Sequence, residues 1–465
     1  MSVKGMHGRI LKLALPSILA NITVPLVGMA DTAIAGHLGH ASFVGGVAVG
    51  TMLFDLLYWN FSFLRVGTGG LAAQAYGRRD YRAAAMIFQR GFVTSMICAL
   101  AVWALQWLVV QAAFLVIDCT DQVRELARTY FNIRIWAAPA TLAMFMFKGW
   151  FIGMQDTVRP MVIDIFVNVA NIAASILFAI KTPLGYSGVA WGTVLAQYSG
   201  LALSVILLVS GYRHIFKGVR VGESMRGGSL SSFFKMNGNL FIRSACIISV
   251  YIGFTTISAR FGDELLAAGS ILMKLLMIFS FFIDGFAYAG EALSGRYVGE
   301  GRYDCFRDAV RKIFAWGAGI SVLFLFVYWF AGRPLLHVMT GDAVVIELAM
   351  DYMPWLMLMP FLGCAAFIWD GVFVGATDTR PVRDSMILAA VGFFVIYYAG
   401  IAAFGIPAGG LLEDAVTVAA DGSVAARREA WLGIHILCGA YFVHLMARSL
   451  YMTLLYKSLV RKKFS

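Results

Sequence analysis

Asp31 carries the most chemistry in the least hospitable setting. It lies inside ILKLALPSILANITVPLVGMADTAIAGHL (residues 10–38), a run long and apolar enough to cross a bilayer. An acid at that depth is expensive, and such groups usually face a bundle interior or a water-filled cavity and mark ion or proton pathways. On helical spacing Asn21, Pro25, Gly28, Asp31 or Thr32, and Ala35 share one face, whereas Leu11, Leu15, Ile18, Ile22 and Leu26 lie mostly elsewhere. A carboxyl so placed can hold a proton while shielded and release it when the cavity opens to water. Pro25 removes a backbone hydrogen bond and lets the helix bend, so protonation and bending can be coupled. The plainer alternative is an acid satisfied by hydrogen bonds between helices.

Two further stretches set hydrogen-bonding groups at helical intervals. Asn168, Asn171 and Ser175 stand at i, i+3 and i+7, and Thr193 and Gln197 at i, i+4. Both a binding role and interhelical bonding suit them. Asp284 and Glu291 share a face at i, i+7, with Lys274 in reach across a turn or more. Asp370 opens DGVFVGATDT, where it can cap a neighbouring helix or bind a cation, and Arg243 is placed to snorkel to the interface. Structural ion pairing is the expected role of these charges. Gly67-Thr68-Gly69-Gly70 lacks the lysine of a phosphate loop and reads as a close helix contact. The seven His show no metal-ligand spacing and the six Cys are scattered singly, so neither a metal site nor a disulfide framework is expected.

These residues need a membrane to make sense. The chain is 60% hydrophobic and only 14% charged, with 36 Phe and a mean hydropathy of +0.78. Continuous apolar runs recur throughout, without the period-two pattern of a membrane barrel. They predict an all-α protein with twelve spans at 10–35, 45–73, 91–115, 126–153, 160–180, 186–210, 237–260, 267–295, 311–332, 344–375, 384–404 and 430–456. The first run is read as a retained span and not as a signal peptide. The net charge of +11 sits between spans, which leaves no domain for nucleic acid. One side collects Arg78, Arg79, Arg82, Arg213, Lys217, Arg302, Arg307, Arg461, Lys462 and Lys463 among others. The opposite side has Arg124, Arg128, Lys181, Arg260, Arg333, Arg427 and Arg428. By the positive-inside rule both termini are expected in the cytoplasm.

The chain also repeats itself. KGWFIGMQDT (148–157) returns as DGVFVGATDT (370–379), and Gly77 and Tyr81 return as Gly299 and Tyr303, all at a spacing of 222 residues. Six spans separate the copies, so the repeat is parallel and predicts two pseudo-symmetric six-helix bundles. The expected division is an N-lobe over 1–222, a cytoplasmic linker over 223–236 and a C-lobe over 237–465. The polar insert at 405–430 has no assigned role. Two lobes able to rock about a central cavity suit a transporter, and the absence of a nucleotide motif points to an ion gradient as its drive. The halves differ where chemistry is expected: Asn168, Asn171 and Ser175 correspond to Ala390, Phe393 and Tyr397. A polar, proton- or cation-handling wall would therefore face an apolar and aromatic one.

LALPSILANITVPLVGMADTAIAGHLG, FLRVGTGGLAAQAYGRRD, GWFIGMQDTVRP, FFIDGFAYAGEALSG and DGVFVGATDTR resemble, in this order, the multidrug and toxic compound extrusion (MATE) family, specifically its DinF-like branch. The resemblance covers nearly the whole chain. It implies a V-shaped antiporter of two six-helix lobes that expels cationic or amphipathic compounds in exchange for H+ or Na+. It also implies that Asp31 is central to coupling and substrate binding, and that Asn171 and Thr193 match the family's span 5 asparagine and span 6 threonine. Two departures stand out. The branch has a second acid four residues after that asparagine, where this chain has Ser175. The sodium-coupled branch pairs an acid in span 7 with the one matching Asp370, and residues 241–260 contain none.

The reading that follows is a monomeric, proton-driven efflux antiporter in the plasma (inner) membrane, without cofactor or metal and without enzymatic activity. Sodium is the second choice of coupling ion. The alternative is a flippase for lipids or lipid-linked precursors, which would want more basic residues in its cavity than the candidates Arg65, Arg134, Lys148, Lys274 and Arg243.

Overall fold

A backbone in lipid must satisfy its own N–H and C=O groups, and helices do so within a single segment. The computed structural model describes residues 3–114, 117, 119–219, 221–225, 229–406 and 424–464, and among them all regular structure is helical. Twelve helical segments are long and apolar enough to span a membrane. In chain order, spans 1 to 6 are Gly5–Gly36, Ser42–Gly77, Tyr81–Gln111, Asp121–Gly153, Val158–Lys181 and Tyr186–Phe216. Spans 7 to 12 are Leu230–Ala259, Asp263–Gly299, Tyr303–Met339, Ala343–Gly375, Thr379–Phe404 and Trp431–Phe464.

The helices outrun the apolar stretches that announce them. Span 9, expected over 311–332, begins at Tyr303, because an amphipathic turn with Phe306 buried and Arg307 exposed continues the helix past the apolar core. The helix of span 7 begins at Ser229, so much of the expected 223–236 linker belongs to the span itself. Residues 226–228 of that linker, and 407–423 of the insert, lie outside the described residues.

Both chain ends meet at one end of the bundle, here termed the terminal end. His7 accepts a hydrogen bond from the Trp316 indole (3.1 Å), Arg9 donates to the Tyr297 hydroxyl (3.1 Å), and Phe464 packs on Tyr303 and Phe306.

The repeat is present in the backbone. Span 4 stops with Gln155 at φ 65° and span 10 with Thr377 at φ 54°, two non-glycine residues in the left-handed region that ends helices. The amides that follow close matching turns, Asp156 on the Phe151 carbonyl and Asp378 on the Phe373 carbonyl, both at 2.9 Å. The same 222-residue spacing relates Arg79 (φ 57°) to Gly301 (φ 67°). Packing repeats as well: a Cβ on Gly149 would strike the Arg65 carbonyl, and one on Gly371 the Ala287 carbonyl.

At the terminal end the halves are joined. Gln155 donates to the Ala292 carbonyl (2.7 Å) and Gln74 to the Thr377 hydroxyl (3.0 Å). Span 1 leans on both halves, through Asn168 to Thr23 (2.7 Å) and through Asn21 to the Phe281 carbonyl (3.2 Å). Above this seam Ser17, Asn21, Arg65, Lys148, Asp164 and Tyr288, together with Ala20, Ile152, Pro160 and Met161, line a small cleft of about 70 Å³.

Candidate functional site

Spans 5 and 6 approach closely because position 192 is glycine: a Cβ there would lie 2.5 Å from the Ser175 amide nitrogen. That approach brings Asn171 to Thr193, with the amide donating to the hydroxyl at 2.9 Å. Thr193 and Ser175 both donate to the Val189 carbonyl, each at 3.3 Å. Asn171, Ser175 and Thr193 are all buried, and the Asn171 side-chain oxygen has no hydrogen-bond partner among the described residues.

Asp31 faces this cluster and is only 3% exposed. The Ser175 hydroxyl is within its hydrogen-bonding reach, and the cation acting on it is Arg134 of span 4. Among the described residues Asp31 makes no ion pair within 4.0 Å, and its Oδ1 has no partner. Arg134 is held by the Tyr130 hydroxyl (3.1 Å) and lies over the Phe54 ring (4.8 Å to its centre). It also acts on Asp55 of span 2. A buried acid with an unfilled oxygen, hydroxyl and amide neighbours and a cation held at a distance can take up and give back a proton.

The other expected members of this face are committed elsewhere. Gln197 accepts from Thr141 (3.1 Å), Asn168 donates to Thr23, and Asn21 ties span 1 to span 8. Thr32 donates to the carbonyl of Gly28 in its own helix (2.7 Å), and Pro25 is exposed. The structure therefore gathers Asp31, Asn171, Ser175 and Thr193, and sets the remaining candidates around them as joints between helices.

The C-lobe charges correct three expectations. Asp370 neither caps a helix nor stands free. Its Oδ2 accepts from Arg243 (2.6 and 3.0 Å) and from Arg448 (2.9 Å), so Arg243 turns inward instead of snorkelling. Lys274 is exposed, and the cations acting on both Asp284 and Glu291 are Arg65 and Arg243, with Arg448 acting on Asp284 as well. The second lobe is apolar where it should mirror the N-lobe site, with Ala390, Phe393 and Tyr397 buried, but it encloses an Arg–Asp–Arg group as well. Neither Arg448 nor Asp55 was singled out in the sequence. Arg448 had a signal, being a lone cation deep in an apolar span that requires a buried acid.

Comparison with known proteins bears on the whole assembly. The MatE family profile matches residues 16–177 and 240–399, one match in each half. The chain belongs to the MATE family. DNA damage-inducible protein F of Escherichia coli (strain K12) is 32% identical over 392 residues, covering 82% of this chain and 83% of its own. Human multidrug and toxin extrusion protein 1 is 25% identical over 441 residues, covering 93% of this chain and 72% of its own. The fold is that of a solved MATE structure in the bent conformation, with a TM-score of 0.82 at 14% identity, covering 99% of this chain and 97% of that one. A bent-form MATE transporter of Vibrio cholerae gives 0.80 at 14% identity, covering 99% and 98%. This MATE protein is thus a multi-pass membrane transporter and not an enzyme.

Proposed function

We propose that this MATE transporter expels cationic or amphipathic organic compounds in exchange for protons, with Asp31 as the group that carries the proton. The observation carrying the reading is the Asp31 carboxyl itself, buried, unpaired on Oδ1 and set against Ser175, Asn171 and Thr193. Such a group can be vacated by its proton and then attract a cationic guest, which couples the two movements without a cofactor. A relative named for multidrug and toxin extrusion supports the substrate class. Proton coupling is favoured over sodium because Asp370, the acid a C-lobe sodium site would use, already receives Arg243 and Arg448. The basic residues on the terminal side support an inner-membrane protein with cytoplasmic termini, acting as a monomer built of lobes 1–222 and 237–465. The flippase alternative is disfavoured because the interior cations face acids: Arg65 faces Glu291, Lys148 faces Asp164 and Arg243 faces Asp370.

Uptake of a fluorescent lipophilic cation into inside-out proteoliposomes tests this. A pH gradient alone is expected to drive uptake, and Asp31→Asn to abolish it. Uptake driven only by sodium, or uphill transport by Asp31→Asn at the wild-type rate, overturns the reading.

A further inference from the structure

The terminal seam of the cleft holds a pair of charges that the Asp31 site does not use. Arg65 of span 2 and Glu291 of span 8 face each other across the two halves, with Nη1 3.7 Å from Oε2. The guanidinium lies 4.1 Å from the centre of the Tyr288 ring. Glu291 is 2% exposed, and a Cβ on Gly69 of span 2 would strike its Oε1. Neither Arg65 Nη1 nor Glu291 Oε1 has a hydrogen-bond partner among the described residues. The contact is therefore opposite charge and close packing, too long to be a hydrogen bond. The neighbouring seam contacts made by Gln155 and Gln74 come from uncharged amides.

We propose that Arg65 and Glu291 form a charge latch holding the terminal end of the two lobes shut, and that neutralising Glu291 releases it. A buried ion pair is nearly balanced between attraction and desolvation, but removing one charge leaves the other uncompensated. With Glu291 neutral, the closed state loses the one acid in contact with Arg65 and leaves only the more distant Asp284 of span 8 and Asp164 of span 5 to answer the cation, and opening lets it reach water. Asp164 of its own lobe, already paired with Lys148, stays near Arg65 when the lobes part. The charged and titratable groups around Glu291 are Arg65 from span 2, Arg243 from span 7, and Tyr288 and Asp284 of its own span. Asp370 of span 10 and Arg448 of span 12, an ion pair at 2.9 Å, act on Asp284 in opposite directions. Arg65 is the partner that crosses from the other lobe. Protonation of Glu291 then opens the terminal end, and Glu291 serves as a second protonatable group in a chain that has Ser175 four residues after Asn171.

The source of the proton rests on the antiport reading, but the latch does not. Its test therefore reads lobe separation and not transport. Spin labels at Tyr81→Cys and Ser458→Cys, in a full-length chain freed of its native cysteines, report the distance across the terminal end in liposomes. Lowering the pH is expected to raise the open-to-closed ratio of the otherwise unaltered chain. Glu291→Gln should raise that ratio at least tenfold at neutral pH and remove its response to pH. Arg65→Gln should also favour the open form, and Arg65→Gln/Glu291→Gln should return most of the way to closed, because no buried charge is left unpaired. A Glu291→Gln distance distribution and pH response equal to the unaltered chain would overturn the latch. Additive opening in the double variant would overturn it too. Sodium-driven transport would sink the antiport reading while leaving these distances to decide the latch separately.

Discussion

Asp31 and Asp370 are both carboxylates buried in spanning helices, yet their surroundings treat charge in opposite ways. Asp31 is 3% exposed, lacks a partner on Oδ1 and has its nearest acting cation, Arg134, held beyond 4.0 Å, whereas Asp370, 6% exposed, accepts three N–H bonds from two guanidinium groups. Protonating Asp370 would strand two cations, the buried Arg448 and the half-buried Arg243. Protonating Asp31 strands none in contact with it. An acid fit for exchange is distinguished from a structural acid by what its loss of charge would leave behind, and depth in the membrane does not separate them.

The sharpest way to break this comparison is to neutralise each acid in turn. Asp31→Asn should remove proton-driven efflux entirely while leaving the unfolding midpoint in detergent unchanged. Asp370→Asn should instead destabilise the protein by about 3–5 kcal/mol, the cost of an uncompensated buried charge, and appear as a lowered Tm. If Asp370→Asn kept its Tm and lost only transport, the division of roles would be reversed. A smaller effect is expected from Asn171→Ala, which removes one bond to Thr193 worth about 1 kcal/mol. Efflux should slow by about fivefold without a change of coupling ion. Ser175→Asp places a second acid beside Asp31, and its efflux should persist with an altered pH profile; an unchanged profile would show that a second acid here is irrelevant. Lys274→Ala should change stability by no more than about 0.5 kcal/mol and leave Tm and efflux near the unaltered values, since its side chain is exposed.

The fold was largely legible because lipid allows so few solutions. Apolar length gave the spans, and KGWFIGMQDT against DGVFVGATDT gave the repeat that reappears as the turns at Gln155 and Thr377. Helix ends were less legible, since amphipathic turns such as the one at Tyr303 carry no apolar signal. Within the site, spacing along one helix grouped Asn171 with Ser175, but which groups on span 1 and span 6 would meet them depended on helix rotation. That rotation set Asp31 and Thr193 facing inward and committed Thr32, Asn21 and Gln197 to other bonds. The partners of buried charges were the least legible of all. Arg65 with Glu291 and Arg448 with Asp370 lie 226 and 78 residues apart, and no local pattern encodes such distances.

The matched turns at the terminal end have one more consequence. Gln155 closes a turn of the first lobe yet bonds Ala292 of the second, and Thr377 closes the equivalent turn of the second lobe yet receives Gln74 of the first. Each half thus supplies the clasp for the other. Cut into two polypeptides within residues 223–228, the protein should still assemble, because each fragment presents bonding groups that the other completes.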